Sequence, residues 1–334
     1  MRFPAVHQQW SRREFLAIAG AAGVLTAIAA ACSSKKPAPG TAGGGPVTIR
    51  HLFGETTVPS PPKRVVSAGY TGQDELLAVG VVPIAVTNWF GDQPFAVWPW
   101  AQPKLGSARP VVLNLDNGIQ VNQIAGLKPD LIVATNAGVD ADTYQKLSAI
   151  APTVPQSDGD AFFEPWKEQA AAIGQAVFQA DLMKSLVDGV DQKFTAVGEK
   201  YSQFNGKKVV LLQGTFHEDN VVATMPGSRT EFLTQMRLVV ADSITRFAVD
   251  QQRAFIERNQ TRDVLETADV LIWKTASDDD RLALLADPDV SALGARNVFT
   301  TKEQAAAIAF ASPLSYPLVA DQLPPLIAKA LGPG

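Results

Sequence analysis

Residues 64–86 read RVVSAGYTGQDELLAVGVVPIAV. Arg64-Val65-Val66-Ser67 is a short apolar run bounded by Pro61-Pro62 and Gly69, the pattern of a buried strand. Thr71 stands where a helix would be capped, with Asp74 at the capping-box position. Leu76, Leu77 and Val79 supply an apolar stripe, and Gly80 ends it. Val82-Pro83-Ile84-Ala85-Val86 then begins a second strand. Strand, helix and strand at this short spacing predict a parallel sheet covered by helices.

Downstream the same alternation continues. Residues 123–127 form a short helical stretch ahead of a third strand, Leu131-Ile132-Val133-Ala134, and residues 144–150 and 152–155 read as helix and extended chain. Phe178, Leu182, Leu186, Val190, Phe194 and Val197 recur at spacings of 3 and 4, which predicts one helix over 179–203, with Gly174 as the break before it. At 1.5 Å per residue such a helix spans roughly 38 Å, enough to cross between domains. After Asn205-Gly206 the strand and helix alternation resumes through 208–212, 229–236, 264–267 and 270–273, ending in an amphipathic helix over 318–331. The expected fold class is α/β: two Rossmann-like lobes with mainly parallel sheets, 47–177 and 205–334, joined by one long backbone helix over 178–204.

Upstream, Ser11-Arg12-Arg13-Glu14-Phe15-Leu16 matches a twin-arginine export motif, and residues 15–31 are an uncharged, Ala/Gly-rich run that ends at Cys32. The run is shorter than the ~20 apolar residues that a spanning helix needs. Residues 1–31 are therefore expected to be a cleaved leader, with Cys32 lipidated at the new N-terminus; Ala29-Ala30-Ala31 would also satisfy ordinary A-x-A cleavage. Residues 32–46, rich in Pro and Gly without apolar periodicity, read as a flexible tether to a membrane surface.

With a pI near 5.5 and formal charge −4, the chain has no global basic field for a phosphate backbone, so nucleic acid is not an expected partner. One cysteine and three histidines (His7, His51, His217) exclude a Cys-rich zinc site, a CxxC pair and a three-His metal site in the mature chain. GxSxG, GxxxxGK[ST], HExxH and GxGxxG motifs are absent, so no catalytic residue is assigned. Asp278-Asp279-Asp280 lacks the remainder of a calcium loop and reads as the acidic start of a helix.

Ligands of open α/β sheets sit beyond the carboxyl ends of strands. Those ends carry Tyr70, then Trp89 and Phe90, then Asn136, with His217 and Lys274 from the second half. Trp89, Phe90, Phe95, Trp98 and Trp100 fall within twelve residues of a polar, Pro-containing loop, and such aromatics suit a planar or lipophilic ligand or the packing of a long loop. Arg229 and Tyr316 complete the candidate ligand-binding set. His51, in an early extended segment, reads as structural.

The blocks Gly54…Val58-Pro59…Pro62-Lys63-Arg64-Val65-Val66, residues 74–83 (DELLAVGVVP), Leu105-Gly106, residues 124–133 (IAGLKPDLIV) and Tyr144…Leu147…Ile150-Ala151-Pro152-Thr153-Val154 resemble, in order, those of one family. It is the periplasmic-binding-protein family of ferric siderophore, haem and vitamin B12 ABC importers, and the blocks are similar to those of its FecB-like iron-complex lipoproteins. The resemblance implies a class III periplasmic-binding-protein fold with a rigid interlobe helix and a shallow cleft that changes little on binding. It implies no cofactor, a ferric siderophore or haem as ligand, an ABC permease as partner, and a lipid-anchored, extracytoplasmic monomer. Anionic chelates would call on Arg229 and Lys274; haem would be axially ligated by Tyr70, Tyr316 or His217. Where the family presents one docking glutamate per lobe, the matching positions are Asn122 and Arg262, and Arg237 stands where the family has a helix-ending glycine. An envelope protein that hands on haem or iron without standard docking, and a secreted α/β enzyme, remain as alternatives.

Overall fold

The computed structural model describes residues 45–159 and 161–332. The leader, Cys32 and nearly all of the expected tether lie outside the described residues.

The first half opens with an antiparallel hairpin of β1 (Val47–His51) and β2 (Gly54–Val58). Then come β3 (Val65–Ser67), α1 (Gly72–Ala78), β4 (Ala85–Thr87), β5 (Val111–Leu113), α2 (Val121–Gly126), β6 (Leu131–Ala134), α3 (Ala141–Ser148) and β7 (Thr153–Pro155). The last five strands form one parallel sheet in the order β5-β4-β3-β6-β7. Its central strands, β3, β4 and β6, are buried along their whole length, which is why their sequences are continuous apolar runs.

Two helices lead into the second half: α4 (Trp166–Ala176) and α5 (Ala180–Lys200). The break falls at 177–179, where Phe178 takes φ 62°, and not at Gly174. Gly174 is instead the crossing point of the two helices, since a Cβ there would lie 2.6 Å from Met183 Cβ. With 21 residues α5 spans about 32 Å, shorter than the 179–203 pattern predicted because residues 202–204 tighten into a 3₁₀ turn.

The second half holds β8 (Lys208–Gln213), β9 (Asn220–Thr224), α6 (Glu231–Gln235), β10 (Val239–Val240), β11 (Arg253–Glu257), α7 (Thr261–Leu265), β12 (Val270–Lys274), α8 (Asp278–Leu285), α9 (Pro288–Ala292), β13 (Asn297–Phe299), α10 (Lys302–Phe310) and α11 (Tyr316–Leu331). Its sheet runs β11-β9-β8-β12-β13, with β10 alongside the start of β8. Strands β10, β8, β12 and β13 are parallel, whereas β9 and β11 form an antiparallel wing that the strand and helix pattern did not predict. Arg237 does not deprive α6 of its left-handed termination. It adopts φ 69° itself, so the arginine takes the conformation a glycine would hold there.

The fold class is α/β with mainly parallel sheets. One apolar cluster runs through both halves, from Leu76, Ile173 and Met183 through Phe194 to Phe232, Tyr316 and Ile272. The two lobes therefore share a core along α5, which limits how far they can separate. None of the described helices is long and apolar enough to cross a membrane.

Candidate ligand-binding cleft

Two glycines bring the strand-end loops together. Gly69, after β3, lies so close to the loop after β6 that a Cβ would sit 1.8 Å from the Thr135 carbonyl oxygen. Gly214, after β8, lies equally hard against the loop after β12, at 2.2 Å from the Lys274 carbonyl oxygen. Neither position admits a side chain. This repetition sets the loop of Asn136 in one lobe and that of Lys274 in the other at equivalent places.

Between the lobes is a cavity of about 30 Å³ whose lining includes Thr71, Asn136, Phe163, Arg229, Phe310 and Tyr316. A small-molecule site holds roughly 300–1,000 Å³, so the cavity is smaller than such a site. The cavity wall is a hydrogen-bonded set: Asn136 Nδ2 donates to Thr71 Oγ1 (3.2 Å), Gln169 Nε2 lies 2.9 Å from the same oxygen, and Asn136 Oδ1 accepts from the Phe163 backbone N–H (3.0 Å). Thr71 is thus drawn off its expected capping task, and no side chain caps α1. Glu164 is buried in the wall; its Oε2 accepts from Ser157 N and Oγ, its Oε1 has no partner, and burial pushes its carboxyl up.

The aromatic loop divides. Trp89 stacks on Tyr70 (centroids 5.4 Å apart) and stands 5.5 Å from Phe163 and 5.6 Å from Phe310, so it belongs to the half-buried aromatic wall of the cleft together with Phe162, which stacks on Tyr70 at 5.8 Å. Phe90 is half-buried, edge-on to Trp89. Trp98, a candidate ligand contact in the sequence, is only 2% exposed and packs on Ala306 and Phe310, leaving no face for a ligand. Trp100 stacks flat on Trp98 (5.1 Å, 3°), and its Nε1 donates to Asp74 Oδ2 (2.8 Å), which makes it a structural strut.

From the second lobe come the cations. The Arg229 guanidinium lies over the Phe163 ring, 4.5 Å from its centroid, and Nη1 donates to Gln252 Oε1 at 3.4 Å. Among the described residues neither Arg229 nor Lys274 forms an ion pair. Burial, aided by the charge of Arg229, pushes the Lys274 ammonium down to about 7. Tyr316 is 2% exposed among Trp166, Phe194 and Phe232; burial pushes its phenol well up, with Arg229 opposing. Burial, and then Asp116, also push the Tyr70 phenol up.

His217 does not reach the cavity. It sits exposed in the turn before β9, edge-on to Phe255. His51 is buried in the first hairpin, Nε2 bonded to Thr56 Oγ1 (3.0 Å), and burial lowers its imidazole. Asn122 on α2 and Arg262 on α7 are both exposed. Missed from sequence were Phe162, Phe163, Glu164 and Gln169; the one available signal was a Phe-Phe pair in a polar Gly/Asp loop after the strand at 153–155.

Residues 65–305 match the family model described as periplasmic binding protein. The chain belongs to that family. Its members bind and deliver solutes and are not enzymes. A periplasmic solute binding protein from Mycobacterium smegmatis str. MC2 155 is 63% identical, with 86% of this chain and 99% of that one covered at a TM-score of 0.82. The ferrichrome complex of PiaA from Streptococcus pneumoniae TIGR4 has a similar fold (TM-score 0.70, 22% identity, 85% of this chain and 98% of that one). A probable siderophore-binding lipoprotein of Bacillus subtilis, YfiY, is 29% identical over 53% of this chain and 52% of its own. The chain spans about half the length of that curated relative.

Proposed function

We propose that this binding protein captures a ferric siderophore that carries negative charge, in the cleft between Tyr70, Trp89 and Phe163 of one lobe and Arg229 and Lys274 of the other, for an ABC importer. The observation that carries the reading is Arg229 over the Phe163 ring, with Lys274 close enough to feel its charge and neither in an ion pair among the described residues. A half-buried cation with no ion-pair partner among the described residues favours an anionic ligand. The siderophore-binding name of the Bacillus subtilis relative supports the same class. Haem is less well served, because burial keeps both phenols protonated and His217 lies outside the cavity. The reading includes export by the twin-arginine route, a lipid anchor at Cys32, a monomeric state, and an ABC permease as partner, with docking that departs from the family's paired glutamates because Asn122 and Arg262 stand at those positions.

Saturable quenching of tryptophan fluorescence should appear with ferric staphyloferrin B, an anionic carboxylate chelate, and more weakly with ferrichrome, with the chelate recovered unchanged. Binding of haem in preference to both, or multiple turnover of a chelate, would overturn the assignment. Arg229→Gln is expected to weaken binding of the anionic chelate by about 1.5–3 kcal/mol, the range for a hydrogen bond to a charged group.

The pH dependence has a definite sign. Lys274 is mostly protonated below about 7 and mostly neutral above. An anion prefers the protonated form, so affinity for ferric staphyloferrin B should fall as pH rises through 7, by up to about tenfold per unit. Isothermal titration at pH 6, 7 and 8 reads this directly, and Lys274→Met should flatten the profile.

A further inference from the structure

The lobes also meet at a buried carboxylate. Asp74, on α1 of the first lobe, is 0% exposed. Its Oδ2 accepts from Ser312 Oγ (2.7 Å), in the second-lobe link between α10 and α11, and from Trp100 Nε1 (2.8 Å). Its Oδ1 is buried without a partner. The link is organised around the same serine: Leu314 N and Ser315 N both donate to Ser312 Oγ, and Ser312 N donates to Ser315 Oγ. Whatever holds Ser312 therefore holds residues 311–315 against α1.

Among the described residues no cation offsets this carboxyl. On its own helix stands Glu75, fully buried, with Oε1 accepting from Gln169 Nε2 (3.0 Å) and Oε2 unpartnered. Helix α4 turns the uncharged Gln169 towards α1, and Glu164 stands just ahead of that helix. On the 102–105 turn Lys104 is exposed; on α5 Asp181 and Lys184 are exposed; on α11 the nearest titratable group is the neutral Tyr316. Gln169 also bonds Thr71 of the cavity wall, so the carboxyl pair abuts the cleft.

We propose that the Asp74–Ser312 contact is a proton-sensitive seam between the lobes, in which the 311–315 link is held on α1 while Asp74 is protonated and loosens when Asp74 ionises. An ionised carboxylate buried beside a second carboxyl is better solvated with the link released, whereas a protonated one loses little by staying buried. Burial raises Asp74 to about 6 in the closed seam, with the Ser312 and Trp100 hydrogen bonds opposing, while the released carboxyl returns to the ordinary range near 3.8. Protonation thus favours closure. The hold is complete below the ordinary carboxylate range and is lost as pH rises through about 6. Any consequence for capture rests on the proposed function; the seam does not.

The test needs no ligand. In the full chain, the indole N–H resonance of Trp100 should titrate with a midpoint near 6, and hydrogen-exchange protection of the Ser312, Leu314 and Ser315 amides, corrected for intrinsic rates, should fall as pH rises towards 6 and level off above it. Asp74→Asn should leave both flat. Ser312→Ala, which removes a donor that favours the ionised form, should move the midpoint up and serves as the second variant if Asp74→Asn does not fold. An indole resonance that does not move between pH 4.5 and 8, a protection profile unchanged in Asp74→Asn, or an unshifted midpoint in Ser312→Ala would overturn the seam.

Discussion

Trp98→Ala is expected to lower folding stability by about 3–5 kcal/mol, the range for truncating a large buried aromatic. The ring is 2% exposed, stacks flat on Trp100 and packs on Phe310, so its removal leaves a cavity between the aromatic loop and α10. Trp100 would also lose the surface that orients its N–H towards Asp74. The neighbouring Trp89→Ala should behave in the opposite manner. Trp89 is half-buried in the cleft wall, and its loss should weaken binding of ferric staphyloferrin B by about 1–3 kcal/mol while leaving the denaturation midpoint nearly in place. Chemical denaturation and isothermal titration on both variants check the contrast. Equal stability losses would remove Trp89 from the ligand face.

Tyr316→Ala is expected to cost a similar ~3–5 kcal/mol, because the ring sits among Trp166, Phe194 and Phe232 where the cores of the two lobes merge. The hydroxyl has a separate role from the ring. Tyr316→Phe keeps the packing and removes only a phenol at the cavity beside Arg229, so stability should change little and any effect should appear in affinity. Because burial keeps that phenol protonated, the variant should bind haem no differently from the parent chain; loss of a Soret shift on Tyr316→Phe would restore the axial-ligand role expected from the sequence.

How much of the fold could be read in advance depended on how local its causes are. Val65-Val66-Ser67 and Leu131-Ile132-Val133-Ala134 are central strands of a parallel sheet, buried on both faces, and their apolar runs need no partner to be recognised. The β1–β2 hairpin and the β9–β11 wing were not predicted. Gly54-Glu55-Thr56-Thr57-Val58 buries only Thr56 and Val58, and a half-polar strand of five residues gains its identity from the strand it pairs with. The interlobe helix was expected from its 3 and 4 spacing, yet its start was displaced, since Gly174 serves close packing against Met183 and the turn is made by Phe178.

The site divides along the same line. Position after a strand end singled out Tyr70, Trp89, Asn136 and Lys274, because the carboxyl ends of the strands face one crevice whatever the loops contain, while Arg229 was named for the charge an anionic chelate would need. What each loop residue does there was decided by tertiary structure. Trp98 and Trp89 share one loop and one residue type, and only contact with α10 makes the first a packing residue and leaves the second at the cleft. Phe163 reaches Arg229 through a left-handed backbone (φ 64°), which no propensity foretells. Sequence by itself determined the α/β class, the parallel sheets and the family resemblance, since strand burial, helix period and block order are written along the chain. The pairing of Asp74 with Ser312, the meeting of Arg229 with Phe163, and the assignment of each aromatic to core or cleft came only from tertiary structure, because each depends on groups far apart in sequence coming together.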